Sequence, residues 1–187
     1  MSKKIFVVTA SPRKRGNSTL LAESFVAGAV AAGNSVSVFD AAKTPITGCT
    51  ACNMCWKQHM PCVCDDDFNK FAQSVIDADI LVIATPVYWG TYPAQLKAYI
   101  DKMYSFAVPT CEVQLSGKEF ILLSCADGED ESAFEVITAL CQGFADYMQW
   151  TFRDKILVPR LVGEEEILET DALSKAKELG ESFTMEY

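Results

Sequence analysis

The sequence holds a single histidine, His59. It lies inside a run of cysteines, so no Ser–His–Asp triad can be built around it. Neither a Walker A run nor a G-x-G-x-x-G run is present. That argues against a P-loop NTPase and against a Rossmann dinucleotide site. No apolar run is long enough to cross a bilayer, and Ile5 to Val8 is too short for the core of a signal peptide. The expectation is a cytoplasmic chain without a membrane partner. Positive charge is scarce as well: 16 Lys and Arg face 25 Asp and Glu, for a net charge of −9. An acidic chain is a poor partner for nucleic acid or anionic lipid.

What is present is sharply placed. Half of the 187 residues are hydrophobic, enough for a sizeable core in one domain spanning 1–187. Five of the sixteen basic residues, Lys3, Lys4, Arg13, Lys14 and Arg15, fall in the first fifteen positions. A basic patch on an acidic chain suggests a small anionic ligand. Eight cysteines in a cytosolic chain point to metal or redox chemistry rather than a disulfide framework, and five of them lie between Cys49 and Cys64.

Apolar patterning predicts five strands alternating with helices. Ile5–Thr9, Ile80–Thr85 and Glu119–Ser124 read as strands, the first a short β-branched and aromatic run of the kind buried on both faces. Ser35–Asp40 and the alternation from Trp150 to Val158 supply two more. A helix from Asn17 or Ser18 to about Ala32 has Leu20, Leu21, Phe25 and Val30 for its buried side. Asp65-Asp66-Asp67 opens another, striped by Phe68, Phe71, Ala72, Val75 and Ile76. Further helices carry Leu96, Ile100 and Met103, then Phe134, Ile137, Cys141 and Phe144, then Leu173, Ala176, Leu179 and Phe183. Residues 43–66 read as an irregular cysteine-rich loop. The pattern implies an α/β fold with a parallel sheet covered by helices on both faces.

The first strand–helix loop, Ser11 to Thr19, lies at the carboxyl edge of such a sheet, where ligands bind. A helix start offers unpaired N–H groups and a positive dipole end to an anion. Ser11, Asn17, Ser18 and Thr19 add short polar side chains, and Arg13 a guanidinium fork suited to phosphate. On these residues alone, a plain polar loop remains an equal reading.

The run Ser11-Pro-Arg-x-x-Gly-Asn-Ser resembles the phosphate loop of the NADPH-dependent FMN reductase family. The later run Asp79-Ile-Leu-Val-Ile-Ala-Thr-Pro-Val-Tyr-Trp-Gly, with Gln95-Leu96-Lys97 and Ile100-Asp101, is similar to that family's second flavin loop. The resemblance implies a flavodoxin-like, doubly wound five-stranded parallel sheet of order 2-1-3-4-5, with FMN at the switch between strands one and three. It also implies that Pro86, Val87, Tyr88, Trp89 and Gly90 line the isoalloxazine and ribityl chain. Gly90 would allow close backbone approach to a ring, and the aromatic pair would offer stacking surface, with partly buried core aromatics as the rival reading of Tyr88 and Trp89. Cys125, Asp127 and Gly128, after the fourth strand, form a weaker third flavin loop, with an ordinary turn as the rival reading.

The cysteines are spaced Cys49-x2-Cys52-x2-Cys55-x6-Cys62, followed by Cys64. This looks like the iron–sulfur flavoproteins, which implies a 4Fe–4S cluster on Cys49, Cys52, Cys55 and Cys62. Free or reversibly oxidised thiols and a structural zinc site are the other two readings. Cys111, Cys125 and Cys141 read as small buried hydrophobes, and His59 as a solvated residue. Glu164-Glu165-Glu166 reads as a solvated acidic turn.

The resemblance implies an FMN-dependent oxidoreductase that passes electrons from NAD(P)H through FMN to a small-molecule or protein acceptor, without a dedicated catalytic acid or base. The alternative is an electron-transfer protein carrying FMN and a 4Fe–4S cluster, with no NAD(P)H turnover of its own. A regulatory protein that holds another anion is a third. Family members are usually homodimers or homotetramers, and Tyr88, Trp89, Tyr92 and Tyr104, expected to be exposed, are candidate contact residues.

Overall fold

The computed structural model describes residues 2–107, 111, 113 and 115–184. Five strands form one all-parallel sheet: β1 (Lys4–Thr9), β2 (Ser35–Asp40), β3 (Ile80–Pro86), β4 (Glu119–Cys125) and β5 (Thr151–Val158). Their order is β2-β1-β3-β4-β5, the flavodoxin-like arrangement. β1 pairs β2 from Lys4↔Ser35 to Thr9↔Asp40 and β3 from Ile5↔Ile80 to Thr9↔Ala84. Ligands of open α/β sheets bind where the order reverses. That point is the carboxyl ends of β1 and β3.

Alternation along each strand sends side chains to two cores. Ile5, Val7, Ile80, Val82, Ile121 and Leu123 face one side, covered by α1 (Asn17–Ala31) and α6 (Ala172–Glu181). Phe6, Val8, Leu81, Ile83, Phe120 and Leu122 face the other, under α3 (Phe68–Asp77), α4 (Ala94–Lys102) and α5 (Glu135–Met148). Burial on both faces is why these strands read as unbroken apolar runs. The edge strands β2 and β5 are half-exposed and mix polar with apolar residues.

Several local expectations need correction. α1 is capped by Gly16, in extended backbone, and no side chain caps it. Its buried stripe runs through Leu21, Ala22, Phe25, Gly28 and Ala29, which turns Val30 out to solvent. Tyr92 is buried rather than exposed, and burial pushes its phenol up to about 12. The cysteine loop is not wholly irregular: it contains α2 (Met54–Gln58), a five-residue helix flanked by left-handed Asn53 and His59. Asp67 stands at the N-cap of α3, but Asp66 is the carboxylate that accepts the Phe68 N–H. Cys125 and Cys141 are buried as expected, whereas Cys111 is half-exposed.

The loop is anchored at its ends. The Tyr99 hydroxyl donates to Thr44 O at 2.6 Å, and Asn69 exchanges two hydrogen bonds with the Cys62 backbone. Lys102, only 3 % exposed, meets Asp66 at 2.6 Å. Burial pushes the Asp66 carboxyl up, but hydrogen bonds from Lys102, Phe68 and Thr47 outweigh it and hold its pKa below the usual value. A depressed folded-state pKa contributes stability that is present above the unfolded value and lost as pH falls through the folded one. Acid titration followed by tyrosine and tryptophan fluorescence should therefore unfold the wild type more steeply at low pH than Asp66→Asn, which starts less stable at neutral pH. Parallel acid profiles for the two would show that the pair carries no weight.

Candidate flavin site

The carboxyl ends of β1, β3, β4 and β5 surround a cavity of about 760 Å³. Small-molecule pockets run from roughly 300 to 1,000 Å³. One end is the loop before α1. Ser11, Arg13, Gly16, Asn17 and Ser18 line it. The Thr19 and Leu20 N–H groups return to Gly16 O at 2.9 and 3.1 Å, so the very start of the helix is what remains for an anion. The Ser18 hydroxyl is buried and has no hydrogen-bond partner. A buried donor left unpaired costs about 1–3 kcal/mol, so it marks a place for an acceptor. A Cβ on Gly16 would lie 2.9 Å from Ser11 Cβ and nearer still to its hydroxyl, so the loop closes only around glycine. An orphan hydroxyl and a helix start together fit a phosphate group.

The other end is the turn after β3. Tyr88 and Thr91 exchange backbone hydrogen bonds at 2.7 and 3.1 Å, and Trp89 and Gly90 between them both have positive φ, +51° and +79°. That is a two-residue hairpin of the primed type. Gly90 is needed for this φ rather than for space, since a Cβ there would make only ordinary contact with Val136. Trp89 is the anomaly: a bulky residue in the left-handed region whose side chain is fully exposed. Strain of this sort persists where function requires it. We expect Trp89→Asn to raise stability by about 1 kcal/mol, because asparagine tolerates the left-handed region, while weakening flavin affinity. Thermal unfolding and a flavin titration on the same variant check both halves; unchanged flavin affinity would remove Trp89 from the site.

The third wall comes from the β4 end. Cys125, Ala126 and Asp127 line it. Burial pushes the Cys125 thiol up to about 12, so it stays a neutral wall group rather than a nucleophile. The Asp130 carboxylate accepts the Ser132 N–H at 2.9 Å and holds the short turn that brings Ser132, Ala133 and Val136 to the cavity.

The cavity thus gathers Ser11, Arg13, Asn17, Ser18, Pro86, Val87, Tyr88, Trp89, Gly90, Cys125 and Asp127. Thr19 and Gly128 stand outside its wall: Thr19 lies further into α1 than Asn17 and Ser18, and Gly128 packs on Ala133, where a Cβ would come within 2.5 Å. Gly16 of the phosphate loop and Ala126 of the third loop also line it, and sequence reasoning missed Ser132, Ala133, Val136, Leu161 and Val162. Leu161 and Val162 follow β5, so the carboxyl-edge rule applied to the fifth strand finds them.

A model of the NADPH-dependent FMN reductase family matches residues 3–158. The chain belongs to that family. An iron–sulfur flavoprotein of Methanocaldococcus jannaschii is 31% identical over 99 residues, 53% of this chain and 51% of the relative. Another, from Archaeoglobus fulgidus, is 25% identical over 185 residues, 96% of this chain and 80% of the relative. The matched stretch thus spans about half of the first relative's length. An NAD(P)H:quinone oxidoreductase structure from Methanothermobacter marburgensis superposes with a TM-score of 0.78 at 17% identity, covering 100% of this chain and 98% of that one. At that identity the superposition speaks to the fold.

The cysteines form a separate place. Cys49, Cys52, Cys55, Cys62 and Cys64 all line one small cavity of about 30 Å³, together with Lys102 and Ser105. Ser105 is buried and its hydroxyl has no partner. Burial pushes the Cys55 and Cys62 thiols up, whereas a hydrogen bond from the Met54 backbone lowers Cys52. Among the described residues, no three His, Cys, Asp or Glu side chains are close enough to hold a metal. As placed, the thiols gather without converging and do not fit a four-thiolate cubane. His59 is exposed, as expected of a solvated residue.

Proposed function

We propose that this family member binds FMN in the cavity at the β1/β3 switch and transfers electrons from a reduced nicotinamide to a small-molecule acceptor of the quinone type. The observation that carries the reading is one cavity with a helix start and an orphan Ser18 hydroxyl at one end and an exposed, strained aromatic turn at the other. When bound, FMN supplies hydride acceptance and electron release. The chain's own work is to hold the phosphate at Ser11, Arg13, Ser18 and the start of α1, to set Pro86–Gly90 against the ring, and to leave one side open to reactants. The quinone acceptor is suggested by the relative from M. marburgensis. Mixing the FMN-loaded protein anaerobically with NADPH, then NADH, tests this: at least one should bleach the flavin absorbance, and a quinone should restore it. Absence of bleaching with both would overturn the nicotinamide step.

A second reading, an electron carrier with a 4Fe–4S cluster and no NAD(P)H turnover of its own, is favoured by the five thiols sharing one cavity and by the two iron–sulfur flavoproteins among the relatives. Their spread stands against it. Iron and sulfide analysis of anaerobically prepared protein decides, with near-absence of both expected if the thiols are free.

A homodimer is part of the same proposal. Val136, Leu140 and Tyr147 are exposed on α5 in one stripe, Gly143 between them opens onto free space, and Trp89 continues the patch. An apolar stripe with a glycine at its middle suits close packing against its own copy. Sedimentation should give a dimer for the wild type and a monomer for Leu140→Glu; a monomeric wild type contradicts the assignment. Among the described residues, no helix is long and apolar enough to cross a membrane.

A further inference from the structure

Asn17 is 7 % exposed, and its carboxamide nitrogen and oxygen each make a hydrogen bond to the turn beyond β5. Its Nδ2 donates to Gly163 O at 2.8 Å, and its Oδ1 accepts the Ile167 N–H at 3.2 Å. One side chain therefore holds both ends of the acidic turn 163–167, across about 150 residues of sequence. The same turn is tied to the phosphate loop elsewhere: Arg13 Nη1 donates to Val162 O at 2.8 Å, and Arg15 pairs with Glu165. Glu166 accepts the Val162 N–H at 2.6 Å. The acidic run is thus not simply a solvated turn.

This segment is also pinned on its far side. Leu161 N–H donates to Ala126 O at 2.9 Å, and Arg160 N–H to Gly128 O at 2.8 Å. Arg160 and Glu165, both non-glycine, have φ of +62°, so the path between them is bent at each end. Ile167 is fully buried in the core under α1 and α6. Residues 160–167 form a strap from the third flavin loop to the phosphate loop, with Leu161 and Val162 facing the cavity.

Given the FMN reading, we propose that Asn17 is a positioning residue. Its carboxamide latches the strap over the start of α1, closing the cavity wall at Leu161 and Val162, and does not ligate the phosphate. The phosphate is left to Ser11, Ser18, Arg13 and the helix N–H groups. A latch and a ligand make different demands. A ligand to phosphate matters for FMN and not for riboflavin, which lacks the phosphate. A latch matters for both, and it matters before any flavin is bound.

The test is Asn17→Leu, close in size and unable to make either bond. Flavin titration should show FMN and riboflavin affinities falling together, by roughly tenfold, the scale set by two lost buried hydrogen bonds. Amide exchange in the flavin-free variant should be faster over 161–168, with Ile167 among the amides that lose protection. Weakened FMN with unchanged riboflavin and an unchanged strap would overturn the proposal, as would no change in either. Should the variant fail to fold, the Asn17 side-chain amide of the wild type decides by NMR. The latch predicts slow solvent exchange and the same shift with either flavin; a shift seen with FMN alone overturns it. If the wild type binds no flavin, the FMN reading fails, yet the exchange measurement on the flavin-free proteins still decides the latch.

Discussion

Gly16→Val should reduce FMN affinity by roughly 100-fold, the cost of losing one or two hydrogen bonds to a charged group. The argument is steric rather than conformational, because Gly16 has φ −66° and ψ 143°, open to any residue. Any Cβ there meets Ser11 Cβ at 2.9 Å and presses further on the Ser11 hydroxyl, which accepts the Arg13 N–H. A branched side chain must push Ser11 out of the cavity wall and unmake the turn that aims Arg13. The strands below are untouched, so thermal unfolding should shift little. Riboflavin affinity should fall far less than that of FMN, because the damage is confined to the phosphate end. Equal losses for both flavins would mean that the loop holds something other than the phosphate.

Gly28→Val should cost about 3 kcal/mol or more of stability, near the upper range for overpacking a close contact. α1 and α6 meet backbone to backbone. A Cβ on Gly28 would come within 2.9 Å of the Lys177 carbonyl carbon, and one on Gly180 within 2.7 Å of Ala29 N. Neither neighbour is a flexible side-chain tip, so relief requires the helices to part. Parting them exposes Phe25, Ala29, Ala176 and Phe183, all buried in that core, and loosens the Ser24 hydroxyl's hydrogen bond to Leu173 O. Urea unfolding measures the loss through the midpoint. A midpoint within experimental scatter of the wild type would show that the crossing tolerates a side chain and that the two glycines do not set its closeness.

The sheet was legible because its central strands are buried on both faces and carry little but apolar residues, as Ile80 to Ala84 shows. Order and switch point came from the family likeness of two loops, and both walls of the cavity hold most of the residues that likeness named. What was not legible depends on distance or rotation. Asn17 sits in a phosphate-loop motif, but its partners lie 146 and 150 positions away, and no local pattern signals them. Val30 was misplaced because α1 is apolar or small almost all round, so its buried stripe is chosen by the glycine contact with α6 rather than by periodicity. Tyr92 was misplaced because its neighbours Tyr88 and Trp89 are exposed while it turns inward. The five-residue α2 rests on left-handed Asn53 and His59, which a short cysteine-rich run does not announce.

The most direct test of the flavin site is a calorimetric titration of the flavin-free protein with FMN and, separately, riboflavin. The account predicts one FMN per chain, with riboflavin at least tenfold weaker, because a helix start, an orphan Ser18 hydroxyl and Arg13 all act on the phosphate. No FMN binding, or riboflavin bound as tightly as FMN, would contradict it.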